Sequence, residues 1–214
     1  INNNAIEQTD EVSTAAANTN IYASLTQNLS NRYLYNFKGK LEGAGTNRRA
    51  GFHFFCDAPD SVNRGNSYFV WFRLDNQAVQ IYKTSYSGGV NVFGSPTYTA
   101  ACNLTAGQWY DFKVIYDRIT GKITVYKDNS IIATWTDPTP LSNGTHISFR
   151  SGNCKWSLDE IKVYRSRPTA SVSVSVGSGN ANDVRYQNPN PTQFAAKVKS
   201  IVNDSVGNLS SIYY

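Results

Sequence analysis

Residues 109–128, WYDFKVIYDRITGKITVYKD, constrain the fold of this chain more than any other stretch. Tyr110, Phe112, Val114 and Tyr116 alternate with Trp109, Asp111, Lys113 and Ile115, so a strand with period two places the first set on one face and the second on the other. RITG then reverses the chain, with Gly121 free to take a positive φ, and KITVYK returns. Nothing in this pattern suits a helix. A hairpin this regular needs further strands to cover its apolar face.

The rest of the chain supplies them. Alternating or apolar runs at Tyr33–Leu41, Arg49–Cys56, Ser67–Leu74, Ala78–Lys83, Ile131–Trp135, His146–Ser151 and Lys155–Tyr164 read as strands. Between them lie the turn-forming stretches EGAGTN, DAPDSVNRGN, SYSGGVNVFGSP, DPTPLSNG and RSGN. Tyr (14) and Phe (10) are plentiful and Met is absent, a balance that favours strands over helices. The expected architecture is all-β, a two-sheet antiparallel sandwich or jelly roll.

Charge and cysteine content narrow the function classes. The net charge is +5, but the basic residues are scattered and Arg48–Arg49 is the one adjacent pair. Nucleic-acid binders cluster such charge on one face, so nucleic acid is not the expected partner. No apolar run approaches the ~20 residues of a membrane-spanning helix. The chain begins without Met or a signal peptide, and reads as a mature or excised piece of a larger protein. Cys56, Cys102 and Cys154 form no CxxC, which argues against zinc. They allow one disulfide in any of three pairings, or none.

Composition shifts at Pro168. TASVSVSVGSGNAND alternates Ser with Val and then turns glycine-rich, and QNPNPT follows. About 46 residues remain, too few for a sandwich module of ~100. The expected domains are therefore 1–167 and 168–214, the second being either extra strands or an incomplete module. The N-terminal stretch, INNNAIEQTDEVSTAAANTNIYASL, is polar and is expected to hold one edge strand and a loop.

The segment AGQWYDFKVIYDRITGKITVYKDNSIIATW resembles laminin-G-like members of the concanavalin A-like lectin/glucanase superfamily. The matching elements are Gly107-x-Trp109, Tyr116–Asp117, Thr120–Gly121 and Tyr126-Lys127-Asp128, with Asn129 where that family usually has Gly. SLDEIKVY, residues 157–164, resembles the family's closing strand, and Arg165–Pro168 its exit. RRAGFHFF and NSYFVWFR resemble its front-sheet strands. The resemblance covers roughly 5–167 and implies a jelly roll with a curved front face. It fixes no single function, because this fold hosts lectins, carbohydrate-binding modules, glycosidases, lyases and adhesion modules. Residues 198–211, VKSIVNDSVGNLSS, resemble late strands of immunoglobulin-like or fibronectin-III-like repeats of bacterial surface proteins, through Asp204, Gly207, Asn208 and Ser210.

Catalysis needs a carboxylate pair that the sequence does not offer. Glycosidases of this superfamily carry E-x-D-x-x-E or a similar set on one strand, because hydrolysis needs two carboxyl groups about 5–10 Å apart. The four glutamates are Glu7, Glu11, Glu42 and Glu160, none with a carboxylate two residues away. Asp159 and Glu160 are neighbours, and strict alternation sends them to opposite faces. A lyase reading would use His53 or His146 with Arg49, Tyr68, Gln80 and Tyr82. For calcium, the resemblance points to the loop CDAPDSVN, where Asp57 and Asp60 with Asn63 and carbonyls would be the ligands.

Sugar binding fits better. Arg49, Gly51, His53 and Phe55 fall on one face of their strand, and Ala50, Phe52, Phe54 and Cys56 on the core face. Ser67, Phe69, Trp71 and Arg73 share the front with Gln80 and Tyr82, against core Tyr68, Val70, Phe72, Val79 and Ile81. Arg49, His53, Trp71, Arg73, Gln80 and Tyr82 thus form a polar-aromatic patch, able to donate hydrogen bonds to a glycan and stack on it. Tyr86, Phe93 and Tyr98 in the loop 86–98 are a second candidate, and Trp109 and Trp156 read as structural. N-x-S/T sequons stand at Asn28, Asn103, Asn143, Asn203 and Asn208. The expected function is a secreted or cell-surface, non-catalytic carbohydrate-binding module whose partner is a glycan. The rivals are an adhesion module docking other domains or subunits, and a glycosidase or lyase of the same fold.

Overall fold

A computed structural model describes residues 5–11, 19–61, 63–87, 90–92, 94–166, 200–203 and 209–213. The chain divides into two compact units, Ile1–Ser166 and Arg167–Tyr214. Among the described residues there is no helix, hence none long and apolar enough to cross a membrane.

The strands of the first unit, in chain order, are β1 (Ile6–Gln8), β2 (Thr19–Ser24), β3 (Arg32–Glu42), β4 (Arg49–Cys56), β5 (Ser67–Arg73), β6 (Ala78–Ser87), β7 (Val90–Val92), β8 (Tyr98–Ala101), β9 (Trp109–Asp117), β10 (Lys122–Lys127), β11 (Ser130–Thr136), β12 (His146–Gly152) and β13 (Lys155–Arg165). Every pairing is antiparallel. The back sheet runs β1-β13-β3-β9-β10-β11, and the front sheet runs β2-β12-β4-β5-β6-β7, with β8 also on β6. This is an all-β, two-sheet antiparallel jelly-roll sandwich.

Alternation builds the core. Tyr110, Phe112, Val114 and Tyr116 of β9 are all buried, as are Tyr33, Tyr35 and Phe37 of β3. They meet Phe52, Phe54, Val70, Phe72 and Ile81 from the front sheet, in contacts such as Phe72–Phe112 (ring centroids 4.0 Å) and Tyr35–Phe52 (5.1 Å). Each fully buried side chain of this kind is worth about 1.5–3 kcal/mol relative to exposure. The hairpin turn is as expected: Gly121 has φ 73, and a Cβ there would lie 2.2 Å from the Asp137 carbonyl oxygen. Trp156 is buried against Phe37 and Phe149. Trp109 is not: it stands 38% exposed on the outer face, with Lys40 Nζ 5.6 Å from its ring.

Two β-bulges correct the alternation argument. Phe55 (φ 56) and Glu160 (φ 50) take left-handed backbone inside strands, each at a register shift, β12–β4 and β13–β3 respectively. An extra residue in one strand resets which side chains face inward. Phe55 therefore does not join the front face: it is fully buried against Tyr116 (4.8 Å) and Tyr33 (5.7 Å). In β13 the core-packed residues are Trp156 and Leu158 before the bulge, and Ile161 and Val163 after it. Asp159 and Glu160 both fall between these sets and share the outer face of the back sheet, contrary to strict alternation. Glu160 pairs with Lys38 and with Lys162 (3.5 Å), and the Lys38 ammonium lowers its pKa. These acids belong to the sheet that does not carry the front patch.

The three cysteines are free and buried. In the second unit, β14 (Ser200–Asn203) pairs antiparallel with β15 (Leu209–Tyr213). One two-stranded ladder gives no support to the immunoglobulin-like reading, and the turn 204–208 lies outside the described residues.

Candidate functional site

The outer face of the front sheet is built by register. Arg49 stands opposite Arg73, Gly51 opposite Trp71 and His53 opposite Phe69; Trp71 and Phe69 in turn stand opposite Gln80 and Tyr82. Gly51 is what allows the cluster: a Cβ there would lie 2.4 Å from the Phe69 ring and 2.5 Å from the Val70 carbonyl oxygen. Phe69, Trp71 and Tyr82 form a second small apolar cluster, separate from the main core. Phe69 and Trp71 meet edge to face with centroids 4.6 Å apart, and Tyr82 closes the group at 6.1 Å from Trp71.

Guanidinium groups surround this cluster. The Cζ atoms of Arg49, Arg73 and Arg150 lie 5.2, 5.9 and 5.1 Å from the Trp71 ring centroid. Arg73 donates to Gln80 Oε1 (2.9 Å) and Asn47 Oδ1 (2.6 Å), Arg49 to the Asn47 carbonyl (3.1 Å), and Tyr82 Oη to Gln80 Oε1 (3.1 Å). Burial pushes the Arg49 pKa down and the Arg73 charge lowers it further. Burial, with Arg64 and Arg49, brings Arg150 down to about 9. Arg49, Arg73 and Gln80 remain partly exposed; Trp71 and Tyr82 are each 6% exposed and form the floor.

One end of this face is closed by residues 57–61 and 63–66. Asp57 accepts from the Asn66 backbone N–H (2.8 Å) and side-chain amide (2.6 Å), clasping the loop base. The tip then crosses the sheet: Arg64 Nε donates to Ser148 Oγ (3.3 Å), Arg150 to Asn63 Oδ1 (3.4 Å), and Thr84 Oγ1 to the Gly65 carbonyl (2.7 Å). His53 is the residue this affects most. It occupies the anticipated face but is fully buried, stacked on Phe69 (4.0 Å), with Nδ1 3.0 Å from Ser67 Oγ. Burial and the positive charges of Arg150 and Arg64 hold its pKa far below the usual histidine value, and full burial makes it part of the packing beneath this face.

The calcium expectation meets the same loop. Both Asp57 oxygens are taken by Asn66, and Asp60 lies toward the exposed Tyr22 hydroxyl, whose pKa it raises. Among the described residues no three His, Cys, Asp or Glu side chains gather to hold a metal. Two carboxylates turned to different partners do not fit the 6–8 oxygen shell of Ca²⁺.

The front sheet thus brings Arg49, Trp71, Arg73, Gln80 and Tyr82 together and sets His53 beneath cover. Of the second candidate, Phe93 lies outside the described residues, and Tyr98 pairs with Ile81 on β8. Sequence reasoning missed Arg150 and Tyr22. Arg150 was accessible to it, since Ile147 and Phe149 alternate with Ser148 and Arg150 in HISFR. Tyr22, 45% exposed on β2, meets His146 edge to face (5.7 Å) from a segment too polar to stand out.

No protein-family model matches this chain, and no curated protein does. Solved structures do match. Carbohydrate binding module CBM66 from Bacillus subtilis superposes with TM-score 0.57 at 12% identity, covering 73% of this chain and 84% of that one. A Bacillus subtilis protein of unknown function with a galectin-like fold gives 0.55 at 12%, covering 75% and 81%. Sheep galectin-11 gives 0.51 at 14%, covering 67% and 96%. At these identities the likeness shows the fold alone, a two-sheet jelly roll.

Proposed function

We propose that the first unit is a non-catalytic carbohydrate-binding module whose ligand lies on the outer face of the front sheet, within a secreted or cell-surface protein. The observation that carries this reading is the Trp71 cluster. An aromatic floor is ringed by planar polar groups (Arg49, Arg73, Gln80) that remain partly exposed on an ordered sheet. Sugars are rich in hydroxyl groups, and the partly exposed Arg49, Arg73 and Gln80 offer them hydrogen-bonding groups over a packed aromatic floor. The similar structures support it by kind, since one is titled a carbohydrate binding module and another a galectin. The finer laminin-G-like assignment rests on GQW, YKDN and SLDEIKVY. A glycan array followed by calorimetric titration of the best ligand tests the function. Binding that weakens at least tenfold in Arg73→Gln supports it, and absence of binding to every glycan class overturns it.

A further inference from the structure

The Trp71 cluster is unusual in its charge. Energetically significant cation–π contacts occur about once per 70–80 residues, yet three guanidinium groups share this one ring. The described hydrogen bonds of Arg49 and Arg73 all go to neutral oxygens, those of Asn47 and Gln80. Among the described residues neither forms a salt bridge, and Arg73 Nε is buried without a hydrogen-bond partner. Asp75, two residues after Arg73 in the sequence, is engaged instead by Arg48 (2.7 Å). The charges of Arg49 and Arg73 are therefore concentrated over a nearly covered aromatic floor, and the hydrogen bonds described for these two go to neutral groups. Like charges in a partly desolvated site repel one another, and a bound anion relieves that repulsion.

We infer that Arg49 and Arg73 receive an anionic group of the bound saccharide, a carboxylate or a sulfate ester, so that the ligand class is an acidic glycan. Each guanidinium has N–H donors beyond those given to Asn47 and Gln80, and together the two can meet the oxygens of such a group. Gln80 and Tyr82 then lie beside it to meet neighbouring hydroxyls. This rests on the reading of the front sheet as a glycan site and adds the charge of the ligand to it.

The test is calorimetric titration of the full chain at 50 mM salt with two matched pairs of equal length. One pair is a pentameric galacturonan and its fully methyl-esterified form; the other is a sulfated galactan oligosaccharide and its desulfated form. At least one acidic member should bind ten or more times tighter than its neutral counterpart, and the pair that does so tells carboxylate from sulfate. Raising salt to 0.5 M should weaken that binding at least fivefold without any mutation. Arg73→Gln and Arg49→Gln should each weaken it at least tenfold, with far-ultraviolet circular dichroism unchanged. Neutral members binding as tightly as acidic ones overturns the inference but leaves a glycan site standing. So does acidic binding that ignores both salt and the arginine substitutions. Binding to neither member of either pair overturns it as well, and the glycan array then decides whether the broader reading survives.

Discussion

Replacing Asp137 by asparagine removes one charge and almost no volume, from the point that ties the two sheets together. Asp137 follows β11 of the back sheet, and its side chain is 3% exposed. Oδ2 accepts from Tyr68 Oη of β5 (2.6 Å) and lies 2.7 Å from Lys83 Nζ of β6; Oδ1 accepts from the Thr139 backbone N–H (2.9 Å). Every neighbour is a donor. An amide accepts on one atom only, so whichever way the substituted side chain turns, its NH₂ faces either the Lys83 ammonium and Tyr68 hydroxyl or the Thr139 N–H. Breaking a buried pair in this way costs about 3–5 kcal/mol. Lys83 is partly exposed and keeps the Thr139 carbonyl (2.5 Å), which favours the lower end. Burial alone raises the Asp137 pKa, but the hydrogen bonds from Lys83, Tyr68 and Thr139 outweigh it and the net shift is downward. A depressed folded-state pKa stabilises above the unfolded value of about 3.9 and ceases to do so as pH falls through the folded value. The gap between wild type and Asp137→Asn should therefore be full at pH 7 and narrow below about pH 4. Urea unfolding at pH 7 and pH 3 measures both. A loss under 1 kcal/mol at pH 7, or a gap that widens in acid, refutes the reasoning.

Two further outcomes follow from burial. Trp71→Ala should cost about 3–5 kcal/mol of stability by urea unfolding, because Trp71 packs against Phe69 and Tyr82. It is thus a poor probe of binding, and a loss under 1 kcal/mol would mean the cluster is not packed as described. The thiols should be inert in the native state: burial raises Cys102 to about 11 and Cys154 to about 12, and pushes Cys56 up further still. Dithionitrobenzoate at pH 8 should titrate none within an hour natively and three in 6 M guanidinium, and prompt native labelling would contradict the free, buried assignment.

The fold was legible wherever period two held. The β9–β10 hairpin matches residue by residue, and the core faces of β5 and β6 follow from SYFVWFR and AVQIYK. Alternation failed at Phe55 and Glu160, where a bulge turns the strand over. Neither residue type advertises a left-handed backbone, so no local signal marked it. The site was legible in membership but not in depth. Sequence placed Arg49, His53, Trp71, Arg73, Gln80 and Tyr82 on one face, yet it could not show a loop crossing that face. The reach of Arg64 to Ser148 joins segments far apart in the chain, and the clasp between Asp57 and Asn66 depends on how the loop between them closes. They turn His53 from an expected donor into packing, and Asp57 from an expected metal ligand into a loop clasp.

The central claim is that ligand meets the arginine-ringed face of Trp71, and indole ¹H–¹⁵N spectroscopy tests it most directly. Four tryptophans give four indole signals: Trp71 on the front face, Trp109 on the outer back face, Trp135 and Trp156 packed against the core. Titration with the tightest glycan should shift the Trp71 indole, together with the Arg49 and Arg73 side-chain Nε–H signals, and leave Trp109 and Trp156 in place. Shifts confined to Trp109, or a Trp71 signal unmoved at saturation, would contradict the account.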